Sequence, residues 1–312
     1  MRKNMISTIT LNVSVDKAYV INQLMKGEVM RVLKCTNTPG GKGLNVARVI
    51  KLCGEDVLAT GMVGGFAGAY VEDMLRLQKV PCDFLHTAAE TRSCINLLES
   101  DGTSTEFLEA GEQISQNEIE EFLLKIEDII DRSEVITISG SVPKGVDTDI
   151  YAKLIRRIKA KGKKVILDTS GELLKEGIKA CPTMIKPNSD EIEALLGVSV
   201  NNREDLITSA GKLQKMGIEI VAVSLGADGA LLVTKDAIYH GRPPKITPVN
   251  TVGSGDSMVA AFAVGLARGY QIEECLRFAI SVSAANTLTM TTGSFLEEDR
   301  KAIYGNVTIT RV

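Results

Sequence analysis

Two kinds of apolar pattern alternate along the chain. Unbroken apolar runs such as "MISTITLNV", "DVLATGMVG", "EVITISG", "KKVILDTS" and "IEIVAVSLG" predict strands. Between them, "GLNVARVIKLCG" (closed by Gly54), "AYVEDMLRLQ", "TDIYAKLIRRIKAKG" and "REDLITSAGKLQKMG" carry apolar residues at helical spacing. Continuous apolar strands separated by helices imply a mainly parallel sheet covered on both faces. Ligands of such sheets bind beyond the carboxyl ends of the strands. The Gly- and Ser-rich segments "SGSVPKG", "DTSGE", "KPNSDE" and "SLGADG" all follow strands, so they fall at that edge.

Two segments leave this rhythm. Tyr19 to Thr38 and Ser93 to Glu109 mix β-type residues with charges, and Asp101-Gly102 makes a hairpin turn. They predict a small β-sheet lid inserted at two points, or a pair of surface hairpins. The chain then divides into an α/β core of residues 1–12, 39–92 and 110–312 and a lid of residues 13–38 and 93–109. A lid with an open edge or face needs a cover, which predicts a homodimer joined through the lids.

Composition narrows the partners. The 312 residues are 44% hydrophobic and 24% charged, enough for a large core, and the net charge of -3 leaves no basic footprint for nucleic acid. No apolar stretch approaches the ~18 residues that span a membrane, and "MRKNMISTITLNV" reads as a first strand instead of a secretion signal. Six scattered cysteines without a C-x-x-C pair predict reduced thiols and a cytoplasmic home. With only His86 and His240, a histidine-rich metal site is excluded. Small molecules are the expected partners.

The chemistry concentrates in glycine-rich loops. In "NTVGSGDSMVAAF", Gly253, Ser254 and Gly255 precede a buried helix from Met258 through Leu266. Bare N–H groups at a helix N-terminus suit an anion such as phosphate, while Ser254 or Asp256 could equally be an N-cap. A second loop, "NTPGGKGLNVAR", has glycines at 40, 41 and 43, the cation Lys42, and a helix behind it. It is not a Walker A loop, because Gly43 follows Lys42, and "GSGDSM" lacks the third glycine of a dinucleotide fingerprint. Two such loops at opposite ends of one chain point to two substrates. In "IKPNSDEIEALLG", Asn188 and Glu191 share one helix face and could hold the water shell of Mg²⁺ or simply cap the helix. In "VSLGADGALLV", Ser224, Gly226 and Gly229 could let backbone approach a nucleotide, or form a plain hairpin turn.

Together the ordered segments resemble the phosphofructokinase B group of ribokinase-like sugar kinases along essentially the whole chain. "TLNVSVD" is similar to the group's first strand, with Val13 where relatives have proline, and "PGGKGLNVAR" to its sugar-side signature. "SGSVPKG", "DTSGELL", "KPNSDE", "SLGADGA" and "NTVGSGDS" follow in family order. The resemblance implies a three-layer α/β/α sandwich with a β-sheet lid. "GGKGLNVAR" with "ETRSCINLLE" looks most like the members that act on ketohexose phosphates. That implies ATP-dependent phosphorylation of tagatose 6-phosphate or fructose 1-phosphate. An unphosphorylated sugar or nucleoside acceptor, or a non-catalytic binder on the same fold, is the alternative.

The same resemblance implies roles. Asp256 would take the proton from the attacking hydroxyl, and Gly253, Ser254 and Gly255 would hold the transferring phosphoryl group. Asp16, Gly40, Gly41 and Asn45 would bind the sugar. Lys186, Asn188, Ser224, Gly226, Gly229 and Asn286 would line the ATP site, with Mg²⁺ reached through water by Asn188 and Glu191. Lys42, in the sugar-side loop, and Arg92, at the lid entrance, predict a clamp for a phosphate already on the acceptor.

Overall fold

Val135, Ile136 and Ile138 are fully buried, as are Val165, Ile166 and Leu167, so neither face of these strands meets water. That burial is the physical content of the unbroken apolar runs. The computed structural model describes residues 5–312; the first four residues of the amino-terminal strand reading lie outside the described residues.

The first sheet runs through β1 (Met5–Thr10), β4 (Val57–Gly64), β5 (Leu85–Thr87), β8 (Ser133–Ser139), β9 (Lys164–Asp168), β10 (Met184–Ile185) and β11 (Ile220–Ser224). It is completed by β12 (Ala230–Thr234), β13 (Ile238–Arg242) and β14 (Thr308–Arg311). Across the sheet the order is β14-β13-β12-β11-β10-β9-β8-β1-β4-β5. Every pair from β11 to β5 is parallel. The meander β11-β12-β13-β14 is antiparallel.

Helices cover both faces. On one side lie α1 (Lys42–Leu52), α2 (Gly65–Leu77), α8 (Ser254–Arg268), α9 (Ile272–Asn286) and α10 (Glu297–Tyr304), around Leu44, Val71, Phe262 and Phe278. On the other lie α3 (Gln116–Arg132), α4 (Ile150–Ala160), α5 (Gly171–Gly177), α6 (Ser189–Leu196) and α7 (Arg203–Lys215), around Phe122, Tyr151 and Leu213. The result is a three-layer α/β/α sandwich. Most of α8 is buried from Asp256 to Gly265, so it is a central helix and its N-terminus opens inside the molecule.

The second sheet has the order β3-β2-β6-β7, from β2 (Ser14–Ile21), β3 (Lys34–Gly40), β6 (Arg92–Glu99) and β7 (Ser104–Leu108). It contains both irregular segments of the sequence. Gly102 takes φ 89° in the β6–β7 turn, and Thr103 N donates to the Asp101 carboxylate. The lid strands start nearer the core than the sequence pattern suggests. β2 begins at Ser14, β3 runs through Pro39 to Gly40, and β6 begins at Arg92. Thus Asp16, Gly40 and Arg92 all stand on lid strands.

Candidate active site

The two glycine-rich loops, more than two hundred residues apart in sequence, meet at one point. Asn45, in the first turn of α1, donates from Nδ2 to Asp256 Oδ2 at 2.7 Å. Asp256 sits in the first turn of α8, which has no side-chain cap. The orphan N–H groups of a helix start are therefore left for another acceptor. Gly253 holds the left-handed conformation that ends the loop (φ 79°), and a Cβ there would press on Thr292.

Burial dominates the charge of Asp256. Its carboxyl is pushed up to about 6, first by desolvation and then by the Asp168 carboxylate, against the pull of Lys42, Asn45 and Lys186. Asp168, at the carboxyl end of β9, is itself only 2% exposed. Lys186 Nζ lies 3.2 Å from its Oδ1 and Lys42 Nζ 3.5 Å from its Oδ2. The neighbouring Asp168 carboxylate raises the Lys42 ammonium above its ordinary range. Two cations and two carboxylates thus meet beside the N-terminus of α8.

A cleft of about 670 Å³ opens above them, bordered by Asp16, Gly41, Lys42, Asn45, Arg92 and the loop Gly253 to Asp256. Asp16 crosses under β3, where a Cβ at Gly40 would collide with its carboxylate. Ser14 Oγ donates to Asp16 Oδ1 at 2.7 Å, and burial raises the Asp16 carboxyl above its ordinary value. Arg48, one turn into α1, bonds Asn45 Oδ1 and donates to Pro39 O at 2.7 Å. It fixes the amide so that Nδ2 faces Asp256.

A second cavity, of about 510 Å³, is bordered by Gly226, Gly229, Pro248, Met258 and Ala284. Thr251 and Ser254 line both cavities, so the α8 loop is the wall they share. Ser224 and Asn188 border a third cavity next to it. The Ser224-to-Gly229 segment is also a tight hairpin between β11 and β12, so turn and cavity wall coincide.

Three expected site residues stand differently from their sequence-based placement. Lys42 pairs with Asp168 near Asp256, whereas Arg92 donates to Asn12 O and Glu109 O where the lid joins the core. Both side chains border the one cleft, each held by its own partner. Asn286 is 1% exposed and borders neither cavity. Its Oδ1 accepts from Ser257 Oγ and Gly293 N, and its Nδ2 donates to Val252 O, so it braces the α8 loop from behind. Asn188 and Glu191 form a reciprocal capping box at the start of α6, at 2.7 and 2.9 Å. Among the described residues, the hydrogen bond of the Glu191 carboxylate uses Oε2 and none engages Oε1. Lys186 Nζ lies 3.4 Å from where a Gly255 Cβ would stand, directly below the loop.

Sequence reasoning gave no role to Asp168, Arg48 or Asn12. Asp168 was marked only by its place in "DTSGE" after a strand, and Arg48 by its place within "GGKGLNVAR".

Comparison with known proteins gives the arrangement its relatives. The sequence matches the pfkB family of carbohydrate kinases over residues 9–299. It is 39% identical to tagatose-6-phosphate kinase of Staphylococcus epidermidis over 311 residues, 99% of this chain and 100% of that protein. The structure of phosphofructokinase-2 from Escherichia coli, in complex with potassium, is similar at TM-score 0.91 and 29% identity, covering 98% of this chain and 99% of that one. Ribokinase from Thermotoga maritima, 22% identical, shares the fold at TM-score 0.80, over 97% of this chain and 100% of that one.

Proposed function

The chain belongs to the pfkB family of carbohydrate kinases, and from that premise we propose that it transfers the γ-phosphoryl group of ATP to a hydroxyl of a ketohexose phosphate, forming a bisphosphate. Tagatose 6-phosphate is the acceptor we put first, because the relative at 39% identity, matched end to end, carries that name. One observation supports the reading above the others. Asn45 Nδ2 donates to a buried Asp256 at 2.7 Å, which brings the sugar-side loop to the loop that walls the second cavity.

In this reading the sugar lies between the lid and α1, with its hydroxyls against Asp16, Gly41 and Asn45. Asp256 accepts the proton as the hydroxyl oxygen forms its bond to the γ-phosphorus. The bond from that phosphorus to the β–γ bridging oxygen breaks, and ADP leaves. A carboxyl with a pKa of about 6 is ionised at neutral pH and still basic enough to take the proton. Of the expected loop Gly253, Ser254 and Gly255, Ser254 N donates to Thr251 O, so the amides of Gly255 and the following Asp256, with Lys186 below, would face the charge on the transferred group. Lys42 adds a cation at the same end, held by Asp168.

The start of α6 suits an ion that keeps most of its water. The capping box orders Asn188 and Glu191, and Glu191 Oε1 can accept from a water ligand. Asn188 and Glu191 would hold Mg²⁺ there through its water shell, and the ion would supply charge neutralisation for the ATP phosphates.

The lid carries the exposed apolar residues Val32, Leu33, Phe107 and Leu108, which a second lid would cover in a homodimer. No helix among the described residues is long and apolar enough to cross a membrane. The cytoplasm, which holds both ATP and sugar phosphates, is the compartment we assign.

ADP release with ATP, Mg²⁺ and a panel of sugars and sugar phosphates tests the proposal. Ketohexose phosphates should exceed free fructose and ribose in kcat/KM by about 100-fold or more, from charge-assisted bonds to the fixed phosphate. Equal use of the free sugars would overturn the choice of acceptor.

A further inference from the structure

Asn12 lies at the carboxyl end of β1, two residues before the lid begins, and is 6% exposed. Its Nδ2 carries two hydrogens and has three acceptors in reach: Ala110 O at 3.1 Å, Ser141 Oγ at 3.1 Å and Val142 O at 3.3 Å. Ala110 is where the chain returns from the lid, and Ser141 and Val142 belong to the core loop after β8. One amide therefore ties the returning lid strand to the core.

The backbone of the same residue faces the other way. Asn12 O accepts from Arg92 Nε at 3.2 Å and from Nη2 at 3.1 Å, and Arg92 Nη1 donates to Glu109 O at 2.6 Å. The bonds close a ring from the Asn12 amide through Ala110 and Glu109 to the guanidinium and back to the Asn12 carbonyl. Three passages of the chain between lid and core are joined in it. The guanidinium has five N–H groups, so one on Nη1 and one on Nη2 remain uncommitted. Arg92 borders the same cleft as Asp16 and Asp256.

Arginine carries a long, rotamer-rich side chain, and an unrestrained one would lose much freedom on gripping an anion. Here its head is already fixed at three points, all on backbone carbonyls. Two of those three bonds end on the carbonyl of Asn12, the residue whose side-chain amide is tied to Ala110, Ser141 and Val142.

Resting on the kinase reading above, we infer that Asn12 is a positioning residue: its buried amide sets the aim of Arg92 and so governs affinity for the charged end of the acceptor. Asn12 itself borders the cleft, but both hydrogens of its side-chain amide are spent on Ala110, Ser141 and Val142. The effect should therefore appear in one kinetic constant only.

The test is steady-state kinetics of the full-length enzyme with tagatose 6-phosphate and ATP, on Asn12→Ala, Arg92→Ala and the double variant, with a thermal melt of each. Wild-type turnover of the sugar phosphate establishes the kinase reading independently of the variants. Asn12→Ala should raise the KM for the sugar phosphate about tenfold, the worth of one lost charge-assisted bond, with the KM for ATP changed less than about twofold. In the Arg92→Ala background the same substitution should add less than about twofold, because the residue it aims is gone. A full tenfold in both backgrounds, or equal changes in both KM values, would overturn the inference. Asn12→Ser, which keeps one donor, should show the same selectivity at a smaller size. If Asn12→Ala does not fold, Asn12→Ser decides in the same way: a rise in its KM for ATP equal to that for the sugar phosphate defeats the proposal.

Discussion

Replacing Asp256 by asparagine should abolish turnover and make the protein more stable. The carboxyl rises from an ordinary 3.8 to about 6 in the folded chain, chiefly because burial disfavours the charge. A raised folded-state value means that the folded protein holds this proton more tightly than the unfolded chain. The stability it contributes is present below pH 3.8 and is lost as pH rises through 6. Above pH 6 the ionised Asp256 costs roughly 3 kcal/mol, from about two pKa units at 1.36 kcal/mol each. Asparagine has the same shape, can still accept from Asn45 and carries no charge, so it avoids that cost. Urea unfolding at pH 8 should show the variant more stable by up to about 3 kcal/mol. At pH 5 the gain should fall to roughly half, because the wild-type carboxyl is then largely protonated when folded. ADP release should drop by about 10²–10⁴-fold, the usual worth of a positioned base. A variant that keeps a tenth of wild-type turnover, or is less stable at pH 8, would refute the reasoning.

Other consequences are as direct. The kcat/KM of the wild type should fall tenfold per pH unit below about 6, as the base is protonated, and a flat profile down to pH 4.5 would exclude Asp256 as that base. Arg92→Ala should raise the KM for the sugar phosphate by about 10- to 100-fold and leave the KM for ATP nearly unchanged; equal rises in both would contradict its assignment to the acceptor. Glu191→Gln should raise the Mg²⁺ concentration needed for half-maximal rate with little loss of thermal stability, since glutamine keeps the capping box; an unchanged Mg²⁺ dependence would remove Glu191 from the metal's water shell. Light scattering at micromolar concentration should give twice the 33.6 kDa chain mass, and a monomer mass would contradict the lid-to-lid dimer.

The parallel core was legible because its strands are buried on both faces and so write themselves as unbroken apolar runs. The antiparallel meander was legible only as a possible hairpin turn at Ser224 to Gly229, because "IYHGR" mixes polar with apolar residues and β14 is a largely exposed edge. The lid was visible as a break in rhythm, but its limits were not. Asp16 reads as part of the "TLNVSVD" strand and Arg92 as the lid entrance, and the structure puts them on β2 and β6, both bordering the cleft. The loops at Gly41 and Gly253 declare themselves through composition. What composition cannot convey is which distant partner each charged side chain finds. Lys42 lies in the sugar-side motif and so reads as a sugar-side cation, yet Asp168, more than a hundred residues on, holds it near Asp256. The resemblance places Asn286 in the ATP site, and only its bonds to Ser257, Gly293 and Val252 reveal a brace.

The central claim is that one phosphoryl group passes from ATP to a sugar that already carries one. Phosphorus NMR of the enzyme with ATP, Mg²⁺ and tagatose 6-phosphate observes that transfer directly. The account predicts a second phosphate-ester resonance on the sugar, growing in step with ADP, one for one. ADP formed together with inorganic phosphate, with no second ester on the sugar, would contradict it.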